Sequence, residues 1–194
     1  MGNVTLMVQG ISEIQGEPRA IQAGDYIVTN GKFPQMCYLG APATATTTGI
    51  GAPIASNATS NVITISAQPA VPRNLVVAFA GSWDGGNIVI VGTDQFDAVI
   101  TETITANAGN TVVGNQAFKT VTSLAKTAVG VTANAATVGM GSKLGIPVYF
   151  QGTTGIHLVT GVAEAATFDP TYHTVLAGTN LPNNSRTYVV LVNC

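Results

Sequence analysis

The chain has 194 residues, of which 8% are charged and 46% are hydrophobic, and its formal net charge is −2. With only 7 Lys and Arg residues it lacks the basic surface that binding to nucleic acid or to anionic lipid requires. The apolar stretches are all shorter than the run of about 18 residues that a membrane-spanning helix needs. A surface so poor in charge repels its own copies weakly, so we expect other copies or partners to cover it.

Short strands separated by turn residues recur along the chain, whereas helical periodicity is almost absent. From the N-terminus the strands include NVTLMVQ, GDYIVTNG, NVITISA, NLVVAFAG, GNIVIVGTD, AVITETITA, KTVTSLA, IPVYF, IHLVTGVA, HTVLAG and RTYVVLVN. Turn sequences such as WDGGN, NAGNT and LPNNS lie between them. This pattern predicts an all-β fold, an antiparallel β-sandwich of Ig-like or jelly-roll-like type with an extended N-terminal region or arm.

Residues 41–61, APATATTTGIGAPIASNATSN, are small and uncharged and offer little to fill a core. They are either a surface loop or linker, or an extended arm that lies along a neighbouring molecule and becomes ordered on contact. We therefore divide the chain into residues 1–61, N-terminal strands plus this arm or loop, and residues 62–194, the β-sandwich domain.

Four carboxylates, Asp84, Asp94, Asp97 and Glu102, lie close together in the sequence. Their spacing lacks the pattern of a calcium-binding loop, and the aspartates fall in turns, where Asp commonly caps the backbone. Turn capping is therefore the favoured interpretation, with a calcium site or an acid–base pair as alternatives.

The two histidines, His157 and His173, occur in none of the spacings typical of a zinc site. The chain also has no Gly-x-Ser-x-Gly nucleophile elbow and no phosphate-binding loop. The sequence therefore predicts no enzymatic activity, no cofactor and no metal.

Four further residues are structural or interface candidates. Arg73 follows the stiff segment QPAVP at the start of a strand, where it can satisfy several carbonyls of its own fold or contact a neighbouring subunit. Trp83 is the single tryptophan and is either a core or turn anchor or a binding platform. Cys37 and Cys194 are too far apart in sequence for a CxxC motif; they are either reduced or part of a disulfide within or between chains.

Several segments in order resemble a group of structural proteins of tailed bacteriophages. They are QPAVPRNLVVAF, GTDQFDAVITETI, GNQAFKTVTSL, VGMGSKLGIP and NNSRTYVVLVN, and together they cover about residues 67–147 and 183–192. The resemblance implies a β-sandwich virion protein, such as a head decoration (cement) protein, assembled in the cytoplasm of a host bacterium. It implies a homo-oligomer, with a trimer favoured, that binds the major capsid protein or other virion proteins.

Two other functions compete with decoration of the head. The first is a tail, neck, baseplate or fibre subunit of the same fold class. The second is a carbohydrate-binding or adhesin module, for which Trp83 beside the acidic turns is the support and the low aromatic content of 6% is the weakness.

Overall fold

The computed structural model describes residues 34–193. The predicted strands NVTLMVQ and GDYIVTNG, and Cys194, lie outside this range. Within it the chain forms strands and no helix. The strands are β1 (Pro34–Gly40), β2 (Thr46–Ala55), β3 (Arg73–Phe79), β4 (Ile88–Thr93), β5 (Val99–Ile104), β6 (Thr111–Phe118), β7 (Thr120–Lys126), β8 (Ala135–Gly145), β9 (Gly155–Val159), β10 (Val162–Glu164), β11 (Ala166–Asp169), β12 (Thr174–Ala177) and β13 (Tyr188–Asn193).

The strands form three antiparallel sheets. A six-stranded sheet has the order β11-β12-β8-β3-β6, with β2 also paired to β8. A three-stranded sheet has the order β5-β4-β7, and a four-stranded sheet has the order β1-β13-β9-β10. The predicted all-β fold, with antiparallel sheets packed on one another as in a β-sandwich, is confirmed.

Two hydrophobic cores lie between these sheets. The first core lies between the six-stranded and three-stranded sheets and contains Ile50, Ile54, Ile63, Leu75, Val77, Phe79, Trp83, Ile88, Ile90, Ile104, Phe118, Val121, Leu124, Ala136 and Val138. The second lies under the four-stranded sheet and contains Cys37, Leu39, Leu144, Ile146, Phe150, Val159, Phe168, Val175, Ala177, Tyr188, Val190 and Val192. Strand β8 contributes residues to both, because its 11 residues extend from one core to the other.

Residues 41–61 contain a strand of the sandwich where the sequence predicted an arm or a loop. Strand β2 pairs with β8 through several irregularities of register, and its residues Ile50 and Ile54 are buried in the first core. Two isoleucines among small residues are enough to anchor the strand, while its threonines face outward. Because β1 pairs with β13, residues 34–61 form part of the same folded unit as the rest of the described chain.

Candidate functional site

The dipeptide Arg73-Asn74 begins β3 opposite two irregularities in the neighbouring strands. The register with β8 shifts here, so that residues 141–143 bulge out of the ladder. The register with β6 also shifts, so that residues 114–116 bulge. A bulge removes main-chain N–H and C=O groups from the ladder, and when buried they need other partners.

Asn74 supplies partners to both bulges. Its side-chain carbonyl accepts a hydrogen bond from the N–H of Lys143 at 2.9 Å. Its amide group donates to the carbonyl oxygen of Gly114 at 2.8 Å. A Cβ at Gly141 would lie only 2.2 Å from the Asn74 amide oxygen, so this bulge requires glycine for the close approach.

Arg73 is 1% exposed and holds the bulge of β8 from the other side. Its Nε donates to the carbonyl of Gly141 at 2.8 Å, and Nη2 donates to the same oxygen. Nη1 donates to the carbonyl of Ala43 at 2.8 Å, which ties the segment before β2 to β8. Burial lowers the pKa of the guanidinium to about 10, and electrostatic interaction with Tyr188 partly opposes this. The described contacts of Arg73 therefore lie within its own fold.

Glu102 holds the bulge of β6 from the opposite sheet. Its carboxylate accepts hydrogen bonds from the N–H groups of Asn115 at 2.6 Å and Gln116 at 3.4 Å. The Gln116 side chain donates back to the carbonyl of Thr101 at 2.9 Å. Burial raises the pKa of Glu102, and the two N–H groups and nearby Lys143 oppose this increase. Side chains thus join β5 to β6 at this side of the sandwich.

Trp83 and Asp84 anchor the far end of the first core. Trp83 is buried, packs against Phe79 with ring centroids 5.6 Å apart, and donates from Nε1 to the carbonyl of Gly86 at 2.7 Å. Asp84 accepts hydrogen bonds from the Ser56 hydroxyl and from the N–H of Val131, which lower the pKa of its carboxyl to about 2. Trp83 is therefore a core anchor, and Asp84 caps a loop, in agreement with the favoured interpretation of the aspartates.

Most charged side chains of residues 34–193 bond to the main chain of the same fold. Besides Arg73 they are Lys126, Arg186, Asp84, Asp94, Glu102, Glu164 and Asp169. The three exceptions in this range are Lys119 and Asp97, which form an exposed ion pair at 2.7 Å, and Lys143, whose ammonium group donates to the side chain of Asn115 at 2.7 Å. The charged side chains of the described residues thus serve mainly to shape the backbone.

A groove of about 760 Å³ lies on the face of the six-stranded sheet that is turned away from the first core. Its floor includes Val76, Val113 and Met140, from three adjacent strands. Its walls are residues 45–47 on one side and residues 176–178 with 181 on the other. Among the described residues that line it, Lys143 alone is charged.

The Arg73-Asn74 pair builds this groove without lining it. Gly141 and Lys143 belong to the lining, and their main-chain positions are fixed by Arg73 and Asn74 respectively. Ala43, two residues before the first wall, is held by Arg73. The volume of the groove lies within the range of about 300–1,000 Å³ that ligand pockets occupy.

The two histidines lie in separate aromatic surroundings, and His173 also interacts electrostatically with Asp94 and Asp169. His157 lies against Tyr188, with ring centroids 5.5 Å apart, whereas His173 lies among Phe96, Tyr149 and Phe150. Burial lowers the pKa of both histidines. Residues 34–193 contain no group of three or more His, Cys, Asp or Glu side chains arranged to hold a metal ion.

Cys37 is buried in the second core, at 6% exposure. Cys194 lies outside the described residues, so the predicted alternatives for the two cysteines stay predictions. No helix of residues 34–193 has the length and apolar character that crossing a membrane would require.

Comparisons with protein-family models, with curated proteins and with solved structures found no match to this chain. The resemblance to phage virion proteins therefore stays a prediction from the quoted segments.

Sequence reasoning singled out Arg73, named Glu102 only as one of four clustered carboxylates, and missed Asn74 and the groove. The sequence did indicate the two bulges, because glycine stands at 114 and 141 within strand patterns and glycine inside a strand is typical of a bulge.

Proposed function

We propose that this protein is a non-enzymatic structural component of a phage virion, and specifically a capsid decoration protein. It binds the head lattice as an oligomer, with a trimer favoured, and stabilises the lattice by burying surface at the contact. The observation that carries the proposal concerns the charged side chains of residues 34–193. Most of them form hydrogen bonds with the main chain of the same fold, which leaves a charge-poor surface with an apolar groove.

Such a surface suits permanent contact with other protein. The cores of protein–protein interfaces are depleted of charged residues and enriched in apolar ones. Several large apolar side chains are exposed on this chain, among them Tyr38 at 68% and Val113 at 54%. A specific interface buries about 800 Å² on each partner, and repeated weak contacts on one lattice reinforce each other through effective concentration.

The groove is the part of this surface that we assign to the contact. Its floor is paired sheet and its rim is fixed by buried and partly buried hydrogen bonds to Arg73 and Asn74, so little conformational entropy is lost when a partner binds. Rigid apolar concavities of this kind are where interface energy concentrates.

A tail, neck, baseplate or fibre subunit is the alternative that uses the same fold and the same surface. The carbohydrate-binding alternative relied on Trp83 as a platform for a sugar ring, and the burial of Trp83 at 6% exposure removes that support.

The proposal is tested on particles of the phage whose genome encodes this chain. Quantitative mass spectrometry of purified particles, with immunogold labelling, should find hundreds of copies distributed over the head. A small number of copies confined to the tail would favour the alternative, and absence from the particle would refute a virion role.

Two matched variants test the groove. Val113→Lys places a charge on the groove floor, whereas Val99→Lys places the same charge on another exposed valine, 77% exposed on β5 and outside the groove. In a binding assay with heads that lack the protein, Val113→Lys should lose binding and Val99→Lys should keep it. Equal binding by both would exclude the groove from the contact.

A further inference from the structure

One wall of the groove is held by two neighbouring anchors. The carboxylate of Glu164 accepts hydrogen bonds from the N–H groups of Thr179 at 3.0 Å and Asn180 at 2.8 Å, and from the Asn180 side chain. The hydroxyl of Tyr188 donates to the carbonyl of Asn180 at 2.9 Å. The next residue, Leu181, lines the groove. Glu164 and Tyr188 therefore hold residues 179–180 of this wall, and Arg186 donates to the carbonyl of Leu181 at 3.2 Å.

His157 lies directly behind both anchors. It is the cross-strand partner of Glu164 in the β9–β10 pair, and its ring is tilted against that of Tyr188 at 5.5 Å. It is 1% exposed, and neither of its ring nitrogens has a hydrogen-bond partner among the described residues. The titratable groups on its face of the sheet are Glu164 from β10, Tyr188 from β13 and, two strands away, Cys37 of β1.

Protonation of His157 would change the hydrogen bonds and the charge compensation that this cluster requires. The neutral imidazole is tolerated in the second core, but an imidazolium has two N–H donors and a charge, and both need an acceptor. Glu164 is the nearby carboxylate. Its Oε1 accepts both main-chain N–H groups and its Oε2 accepts the Asn180 side chain, so a bond to the imidazolium competes with the bonds that hold residues 179–180.

We propose that His157 makes this wall of the groove sensitive to acid. Protonation of the imidazole draws the Glu164 carboxylate away from Thr179 and Asn180, and the segment that carries Leu181 loosens. The biological consequence rests on the groove being the contact surface proposed above, but the conformational change is a property of the isolated chain.

The direction of the pH dependence follows from the burial of His157. Burial lowers the pKa of its imidazole below the ordinary value of 6.5, and the charge of Glu164 partly opposes this. A group whose pKa is lower in the closed state stabilises that state at high pH, and the stabilisation is lost as the pH falls below 6.5. The wall should therefore be closed at neutral pH and loosen under mild acid.

The test is an NMR titration of the isolated full chain between pH 7.5 and pH 5. The chain has only 2 histidines, so the ring signals of His157 and His173 can be assigned and followed separately. Hydrogen-exchange protection factors of the Thr179 and Asn180 amides should fall in step with the His157 titration. The fall can reach about tenfold for each unit by which the pKa of His157 differs between the closed and open wall.

His157→Phe keeps a ring of similar size against Tyr188 and cannot take up a proton, so it should abolish this pH dependence. His157→Gln serves the same purpose if the Phe variant does not fold. His173→Asn is the control, because Asn tolerates the left-handed backbone at this position, where φ is 49°, and should leave the response intact.

Three outcomes would overturn the proposal. In the first, the two amides keep their protection while His157 titrates. In the second, the same loss of protection occurs in the His157 variant. In the third, His157 stays neutral until the whole chain unfolds. None of these outcomes involves a virion, so a failure here is distinguishable from a failure of the proposed function.

Discussion

Asn74→Leu tests whether one side chain maintains the two bulges under the groove. Leu has the same branching and the same number of side-chain heavy atoms as Asn, but its methyl groups cannot form hydrogen bonds. It leaves the N–H of Lys143 and the carbonyl of Gly114 without their partner. An unpaired buried polar group costs about 1–3 kcal/mol. Since the Lys143 N–H is only partly buried, we expect the free energy of unfolding to fall by about 2–4 kcal/mol.

A loss of this size is a large part of the total stability of a domain, which is about 5–15 kcal/mol. Urea unfolding followed by fluorescence measures it directly, because the single tryptophan, Trp83, is buried in the first core. NMR shifts of the Met140 methyl group would report whether the groove floor moves in the same variant.

Asn115→Leu is the matched control for this experiment. Asn115 lies in the bulge of β6 but is exposed, and its side chain bonds only to the ammonium group of Lys143 at the surface. The same substitution there should change the free energy of unfolding by less than about 1 kcal/mol. If Asn74→Leu also stays within about 0.5 kcal/mol of the wild type, the proposed role of Asn74 in the bulges is refuted.

Three further variants test other parts of the network. Gly141→Ala should lower the free energy of unfolding by about 1–3 kcal/mol through overpacking against Asn74, whereas Gly81→Ala, with nothing within 4 Å of its Cβ, should be nearly neutral in the same urea assay. The pKa of Glu102 is raised, so ionisation of this carboxyl destabilises the folded state as the pH rises through that pKa. The free energy of unfolding of Glu102→Gln should therefore increase relative to that of the wild type between pH 4 and pH 7. A difference that stays constant over this range would contradict the expectation. Asp84→Ala should speed hydrogen exchange at the Val131 amide at neutral pH, and the wild-type carboxylate should protect that amide until the pH falls towards about 2; unchanged exchange in the variant would show that Asp84 does not hold the loop.

The sequence alone was sufficient for the all-β class, because short apolar runs such as NLVVAFA and alternating segments such as GNIVIVG, bounded by turn residues, are local properties. The buried pattern of β4, in which Ile88 and Ile90 are fully buried and the residues between them are not, follows that alternation. Local patterns left Trp83 open between a core anchor and a binding platform, and they predicted a capping role for Asp84 without its distant partners, Ser56, Val131 and Thr132.

The groove and the side chains that hold the bulges could not be predicted, because they depend on which strands become neighbours. Val76 and Val77 are both apolar, yet one lines the groove and the other lies in the first core. Strand β2 was missed for a related reason. Its only large apolar residues are Ile50 and Ile54, and the stabilisation from burying them depends on core residues far along the chain.

The passage of β8 through both hydrophobic cores has a consequence for cooperativity. Ala136 and Val138 of this strand pack in the first core and Leu144 packs in the second, so neither core can lose the strand without exposing apolar surface in the other. The two cores should therefore melt in one calorimetric transition, because β8 contributes residues to both. Replacing one core as a module would require cutting β8, which belongs to both.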